Sequence, residues 1–83
     1  MEIILYSTSG CHLCDVARAL VFPLFTRNNV TLRTVDIADS DDLLSRYATR
    51  IPVLVSPDGR ELGWPFTAAQ AGQFIFTDHM PRT

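Results

Sequence analysis

Two cysteines, Cys11 and Cys14, lie where a strand-forming segment gives way to a helix-forming segment, and this placement most constrains the fold. Residues 2–7 form a short β-prone run, which Thr8-Ser9-Gly10 interrupts. Beyond the break, apolar residues recur at helical spacing. The chain has 83 residues and no other cysteine, so we expect a single domain over residues 1–83 and exclude the multi-bridge framework of small secreted proteins.

The first helical pattern contains a proline and is followed by a second strand. Its apolar face consists of Cys14, Ala17, Leu20, Val21, Leu24 and Phe25. Pro23 lies inside the pattern and predicts a kink or an early end of the helix. Asn28-Asn29 predicts the stop, and the β-branched residues of segment 30–37 predict a strand.

The middle of the chain predicts a short helix and a hairpin. Ser40 is a candidate N-cap, and the two aspartates that follow it favour a helix to about Tyr47. Residues 53–55 predict a third strand. Pro57-Asp58-Gly59 predicts a turn, after which residues 60–62 return as the other arm of a hairpin.

A capping box predicts where the last helix begins. Thr67 and Gln70 have the spacing at which each side chain bonds the other residue's backbone N–H. The helix is expected to run to about Phe76 or Thr77, and residues 78–83 are expected to fray. The resulting order, β-α-β-α-β-β-α, predicts an α/β fold with a four-stranded mixed sheet and helices on both faces.

The spacing of the cysteines favours redox chemistry. Three residues apart on a helix, the two Cβ atoms lie roughly 5–6 Å apart, so a modest adjustment would allow a disulfide. The free N–H groups and dipole at a helix start stabilise a thiolate, the attacking species, which predicts an exposed and nucleophilic Cys11. Cys14 is expected to point toward the core and to resolve the mixed disulfide.

His12 and His79 bear on two alternatives. His12 lies between the cysteines and either tunes the thiolate or is an ordinary exposed side chain. A CxxC pair is also half of many zinc sites. The second half is missing here because His79 stands alone near the C-terminus, so no metal site is expected.

Charge and hydropathy narrow the classes of partner. The formal net charge is −2, and the seven basic residues, all arginine, are scattered along the sequence. Nucleic-acid binding usually needs a basic stripe, so no nucleic-acid partner is expected. No apolar run is long enough to span a bilayer, and the N-terminus lacks the features of a signal peptide. We therefore expect a cytoplasmic monomer without membrane contact.

Three segments resemble the glutaredoxins of the thioredoxin superfamily. Residues 5–14 (LYSTSGCHLC) are similar to the strand, loop and CxxC of that family, and residues 50–54 (RIPVL) to its proline-containing landmark. Together with residues 59–66 (GRELGWPF), they look most like small bacterial glutaredoxin-like proteins of unassigned function. The resemblance implies a thioredoxin-like fold and a cis Pro52 beside the cysteines. It also implies that the amide and carbonyl of Ile51 pair with an extended substrate.

Two positions depart from the glutathione-dependent members of that family. Thr8 stands where they usually carry lysine, and residues 63–67 (GWPFT) replace a Gly-Gly followed by an acidic residue. Arg50 is a candidate replacement for one of these contacts, although an exposed ion pair contributes only ~0–1 kcal/mol. The residues therefore do not favour glutathione as a substrate, and no bound cofactor is expected.

Trp64, with its neighbours Pro65 and Phe66, forms an apolar cluster with two interpretations. It either lines a substrate groove beside Cys11 or packs in the core against the last helix, and the size of the aromatic rings favours the core.

Two functions of different class remain, with a metal or iron–sulfur carrier as a third. The first is a thiol–disulfide oxidoreductase in which Cys11 attacks, Cys14 resolves, and Ile51 and Pro52 hold a disulfide-containing protein or a small thiol. The second is a non-catalytic binding module that uses the cysteine pair as a redox switch.

Overall fold

The computed structural model describes residues 1–77, and its elements follow the predicted order. The strands are β1 (Glu2–Ser7), β2 (Thr31–Asp36), β3 (Val53–Val55) and β4 (Glu61–Gly63). The helices are α1 (His12–Arg27), α2 (Asp41–Tyr47) and α3 (Ala68–Thr77), and a 3₁₀ turn (Ile37–Asp39) precedes α2. The tail for which fraying was predicted, residues 78–83, lies outside the described residues.

The four strands form one mixed sheet in the order β2-β1-β3-β4. β1 and β2 are parallel, with Glu2 opposite Thr31. β3 is antiparallel to β1, with Tyr6 opposite Val53, and β4 is antiparallel to β3. The predicted four-stranded mixed sheet is therefore confirmed, and the βαβ unit and the hairpin supply the parallel and antiparallel pairs as expected.

The two faces of β1 divide the core between the helices. Ile3 and Leu5 are fully buried in a cluster with side chains of α1 and α3, including Phe25. Tyr6, whose side chain points to the opposite face because neighbouring strand residues alternate, packs against a second cluster that contains Tyr47 of α2. Each fully buried large apolar side chain contributes about 1.5–3 kcal/mol, so helices are held on both faces of the sheet.

Pro23 does not end α1, and the prediction of an early stop was wrong. The helix continues to Arg27, with Val21 and Phe25 buried on either side of the proline. Proline removes one backbone bond to the residue four positions earlier. That residue is Ala19, and both Ala19 and Pro23 are exposed. Water can therefore satisfy the freed carbonyl, while core packing holds the helix together.

The predicted stop at Asn28-Asn29 is confirmed. Asn28 is the C-cap of α1, and its side-chain amide donates to the carbonyl of Leu24 at 2.8 Å. Asn29 has φ 57°, a left-handed conformation that asparagine tolerates better than most residues. The side-chain bond and the reversed backbone together end the helix.

Strands β2 and β4 each differ from their predicted bounds by one residue at both ends, and local hydrogen bonds that compete with the sheet account for their later starts. The Val30 N–H bonds the carbonyl of Phe25 at 2.8 Å, so β2 begins one residue later, and Ile37 starts the 3₁₀ turn rather than extending the strand. The Arg60 N–H donates to the hydroxyl of Ser56 at 3.1 Å inside the hairpin turn. β4 therefore begins at Glu61.

Both predicted helix caps are present. The Ser40 hydroxyl accepts from the Leu43 N–H at 3.3 Å. Thr67 Oγ1 accepts from the Gln70 N–H at 3.0 Å, and Gln70 Oε1 accepts from the Thr67 N–H at 2.8 Å. These reciprocal bonds fix the start of α3, which covers the cluster around Phe25.

Removing the Thr67 hydroxyl should destabilise the domain measurably. We expect Thr67→Ala to lower the free energy of unfolding by about 1 kcal/mol, because the Gln70 N–H loses its acceptor. Urea denaturation followed by circular dichroism measures the change. Thr26→Ala, at an exposed position of α1, is the matched control and should leave stability unchanged or slightly raised. Equal losses in both variants would contradict the cap.

Candidate active site

A tight turn places Cys11 at the start of α1. The Cys11 N–H bonds the carbonyl of Thr8 at 3.3 Å, which closes a four-residue turn. Its third residue, Gly10, has φ 76°. A turn with positive φ at this position favours glycine, which has no Cβ to clash. The chain therefore leaves β1, reverses, and enters the helix with Cys11 as its N-cap.

The cysteine pair has one accessible and one buried member. The Cα atoms of Cys11 and Cys14 are 5.2 Å apart, and the sulfur atoms are joined as a disulfide. Cys11 is half-buried, whereas Cys14 is only 2% exposed. Cys11 Sγ also accepts a hydrogen bond from the Cys14 N–H at 3.2 Å. The same free N–H groups of the first helical turn are suited to stabilise negative charge on Cys11.

Pro52 precedes β3 and lies beside the carboxyl end of β1, where the Cys11 loop leaves the sheet. Its peptide bond with Ile51 is cis, as the resemblance implied, and its side chain is fully buried. Because Tyr6 is opposite Val53 in the antiparallel pair, the residue before Val53 lies beside the carboxyl end of β1. A second cis bond, Trp64–Pro65, was not anticipated, and nothing in the sequence distinguishes it from a trans bond.

The backbone of Ile51 is only partly available to a substrate. Its N–H donates to the carbonyl of Tyr47 at 3.1 Å, and the Arg50 N–H donates to the same carbonyl at 2.8 Å. The amide of Ile51 is therefore already bonded within the protein, and the pairing of both its amide and its carbonyl with a substrate stays a prediction. Among residues 1–77 the Ile51 carbonyl has no hydrogen-bond donor, so it is the group left to bind an extended chain.

Arg50 is engaged by a carboxylate from another part of the sequence. Its guanidinium forms an ion pair with Glu61 on β4 and lies over the ring of Tyr47 at 5.1 Å from the centroid. The Tyr47 hydroxyl donates to Glu61 Oε2 at 2.7 Å. Tyr6 stacks on Tyr47 with ring centroids 4.5 Å apart. We call Tyr47, Arg50 and Glu61 the carboxylate cluster.

The hydrogen bonds of the carboxylate cluster shift two ionisation equilibria in opposite directions. The bond from the Tyr47 hydroxyl and the bond from Arg50 hold the pKa of Glu61 below its ordinary value of 4.5. The bond to Glu61, together with burial, raises the pKa of Tyr47 above its ordinary value of 10.0. Each shift favours the form that keeps the cluster bonded, an ionised Glu61 and a neutral Tyr47.

Trp64 packs against the core, whereas His12 is exposed to solvent. Trp64 is half-buried against the Phe25 cluster and meets Phe66 edge-to-face at 5.0 Å, which favours core packing over an open groove. Its backbone N–H also bonds the Pro52 carbonyl at 3.1 Å. His12 is the exposed first residue of α1, and its side chain has no hydrogen-bond partner among residues 1–77.

Two residues of this site were missed by reasoning from the sequence. Tyr47 was treated only as the end of a helix and Glu61 only as part of a hairpin arm. No spacing rule connects positions 47 and 61, and they meet only because α2 packs on the sheet next to the β3–β4 hairpin. In the described part of the chain, no group of three or more His, Cys, Asp or Glu side chains is arranged to hold a metal ion, and His79 lies outside it.

Comparison with known families and structures gives consistent matches. The sequence model of the family "Glutaredoxin-like domain (DUF836)" matches residues 2–75. The X-ray structure of protein XcR50 from X. campestris is 37% identical over 95% of this chain and 99% of that chain, with a TM-score of 0.78. Protein Ne2328 from Nitrosomonas europaea is 25% identical over 88% of both chains, with a TM-score of 0.75.

A more distant match concerns the fold alone. Thioredoxin 1 from Thermosipho africanus is 10% identical over 95% of this chain and 94% of its own, with a TM-score of 0.72. The α/β thioredoxin-like fold is therefore confirmed. A comparison with functionally curated proteins gives no match. Within residues 1–77, none of the helices has the length and apolar character needed to cross a membrane.

The carboxylate cluster should make stability depend on pH through Glu61. Because the folded pKa of Glu61 is depressed, its stabilisation is present above its ordinary value of 4.5 and lost as pH falls through the folded pKa. The stability advantage of the wild type over Glu61→Gln should therefore be largest between about pH 5 and pH 9 and should shrink in acid. The urea midpoints of the wild type and of Glu61→Gln, measured as a function of pH, test this prediction. If the two pH curves run parallel, the prediction is wrong.

Proposed function

Because this chain belongs to the glutaredoxin-like domain family (DUF836), we propose that it is a thiol–disulfide oxidoreductase that uses Cys11 and Cys14 as a dithiol. One observation carries the proposal: an accessible cysteine at a helix N-cap lies within disulfide distance of a buried one. An inert structural disulfide does not need this asymmetry, whereas a nucleophile and a resolving thiol do.

The reaction begins with the reduced pair. The Cys11 thiolate attacks one sulfur of a substrate disulfide, forms a mixed disulfide with it, and releases the other half as a thiolate that takes a proton from water. The Cys14 thiol then gives its proton to water or hydroxide and attacks Cys11 Sγ, which breaks the mixed disulfide and releases the second half of the substrate as a thiolate that takes up a proton. The substrate has gained two electrons, and the protein has lost two by forming the Cys11–Cys14 disulfide. A thiol or dithiol reductant restores the reduced pair.

The surroundings of the pair suggest how a substrate is held. Pro52 is buried and rigid, and the carbonyl of Ile51 can accept from an extended chain lying beside Cys11. The backbone N–H of Trp64 donates to the Pro52 carbonyl and so helps to hold Pro52 in place. His12 is exposed next to Cys11 and borders the same surface. We therefore favour substrates that present an extended segment, such as disulfide-containing proteins.

Glutathione is not the substrate that we favour. Arg50, the candidate replacement for one of the missing glutathione contacts, is paired with Glu61. We further propose that the protein acts as a monomer in the cytoplasm, where thiol reductants are available to recycle the pair.

The acidity of Cys11 tests the chemistry directly. In a Cys14→Ser variant, the Cys11 thiol should react with iodoacetamide with a pH midpoint below the ~8.5 of an ordinary cysteine, in the range ~3.5–7.5 that helix N-termini produce. The same variant unfolded in urea is the control and should show the ordinary midpoint. If the folded and unfolded midpoints coincide, Cys11 is not an activated nucleophile.

A trapping experiment identifies the substrates. In Cys14→Ser, the mixed disulfide cannot be resolved, so proteins that react with Cys11 should stay attached after exposure to a cell lysate and appear by mass spectrometry. Cys11→Ser is the matched control and should retain none. Protein adducts would support the proposal, and glutathione as the sole adduct would overturn the preference for protein substrates. Absence of any adduct would favour a redox-switch module without turnover.

A further inference from the structure

We infer that Glu61 sets the charge preference of the active site, so that disulfides with neutral or cationic flanking groups react in preference to those carrying carboxylates. This inference rests on the proposed function and names its substrate class. Arg50 supplies a cation beside the substrate position, and Glu61 neutralises it.

The position of Arg50 makes its charge relevant to a substrate. It directly precedes Ile51 and Pro52, which lie beside the carboxyl end of β1, where the Cys11 loop begins. Its side chain is 47% exposed, so solvent and small molecules can reach it. A guanidinium without a partner at this place would attract a carboxylate and could bind both of its oxygens.

Glu61 is held in place from two sides. One carboxylate oxygen contacts Arg50, and the other accepts from the Tyr47 hydroxyl at 2.7 Å. Tyr47 is 2% exposed and is stacked on Tyr6, so its hydroxyl is fixed relative to the sheet. Because Tyr47 as well as Arg50 holds Glu61, a substrate carboxylate can bind Arg50 only if it displaces the Glu61 carboxylate.

Arg46 is a second cation near Glu61, and it has a carboxylate partner of its own. Arg46, one turn earlier, also lies over the Tyr47 ring, but it is paired with Asp42 at 3.7 Å. Leu13, in the first turn of α1, is 48% exposed and offers an apolar contact. The pairing of both Arg50 and Arg46 with carboxylates therefore favours neutral over anionic substrates.

A set of three disulfides that differ in charge tests the inference. Pre-reduced protein, freed of reductant, is mixed at low ionic strength with glutathione disulfide (anionic), bis(2-hydroxyethyl) disulfide (neutral) or cystamine (cationic). Oxidation of the protein is followed in a single turnover by acid quench and mass spectrometry, so no recycling system is needed.

The variant Glu61→Gln keeps the size of the side chain and an acceptor for Tyr47 while it releases Arg50. We expect the rate with glutathione disulfide, relative to the neutral disulfide, to rise about threefold or more and the rate with cystamine to fall. Both changes should fade as salt approaches about 1 M, where the screening length is only ~3 Å. Circular dichroism checks that the variant folds.

Two further variants separate charge preference from a structural role. Asp42→Asn makes the same change in net charge but releases Arg46 instead, and it should alter the rate ratios less than twofold. Arg50→Gln combined with Glu61→Gln should return the ratios toward those of the wild type, because neither charge then remains. If Glu61→Gln does not fold, Arg50→Gln alone tests the inference, because it leaves Glu61 unpaired and should lower the relative rate with glutathione disulfide and raise that with cystamine.

The outcomes distinguish this inference from the function on which it rests. If Glu61→Gln changes the rates with all three disulfides by the same factor, Glu61 only supports the fold, and the inference is overturned while the oxidoreductase function stands. If the wild type is oxidised by none of the three disulfides and Cys14→Ser traps no protein on Cys11, the proposed function itself is wrong.

Discussion

The antiparallel pairing of β1 with β3 is the contact on which the candidate site depends. The Cys11 loop leaves from the carboxyl end of β1, and Pro52 opens β3 at the same sheet edge, with Tyr6 opposite Val53. Residues about forty positions apart in the sequence thereby become neighbours. The same central strand divides the core, because Leu5 faces α1 and α3 while Tyr6 faces α2. A shift of one residue in this pairing would exchange these faces and separate the two halves of the site.

The chemistry of the site follows from how a helix begins. The turn at Gly10 directs the chain so that Cys11 occupies the N-cap, where backbone N–H groups lack partners within the helix. Cys11 Sγ accepts one of these N–H groups, from Cys14. The following turn points Cys14 into the protein. One short segment therefore supplies a polar, accessible environment for the first sulfur and an apolar, protected one for the second.

In the inference drawn above, the carboxylate cluster connects this chemistry to substrate specificity. Tyr47 anchors Arg50 and Ile51 through its backbone carbonyl and Glu61 through its hydroxyl. The segment that borders the substrate position is thus fastened to both α2 and β4. The guanidinium of Arg50 is paired within the protein rather than left for a ligand. In our proposals, this pairing explains why a glutaredoxin-like domain need not prefer glutathione.

The sequence by itself determined the elements and the reactive pair. Hydrophobic spacing, the capping box at Thr67 and Gln70, and the stop at Asn28 are local signals, since each acts on backbone groups a few residues away. They located every helix and strand to within about a residue, apart from the outcome at Pro23. The spacing of Cys11 and Cys14 is local as well, so the sequence is sufficient to propose their chemistry.

The tertiary structure alone decided what surrounds that pair. The helix α1 continues through Pro23 because its core face is buried and the freed carbonyl is exposed. The bond from the Ile51 amide to the Tyr47 carbonyl engages a group that the sequence left open to a substrate. Glu61 pairs with Arg50 because the β3–β4 hairpin places Glu61 next to the segment that precedes β3. These outcomes depend on contacts between residues far apart in the sequence, and no local pattern contains them. The sequence therefore specified the cysteine pair, and the packing of distant segments specified the charged groups next to Ile51 and Pro52.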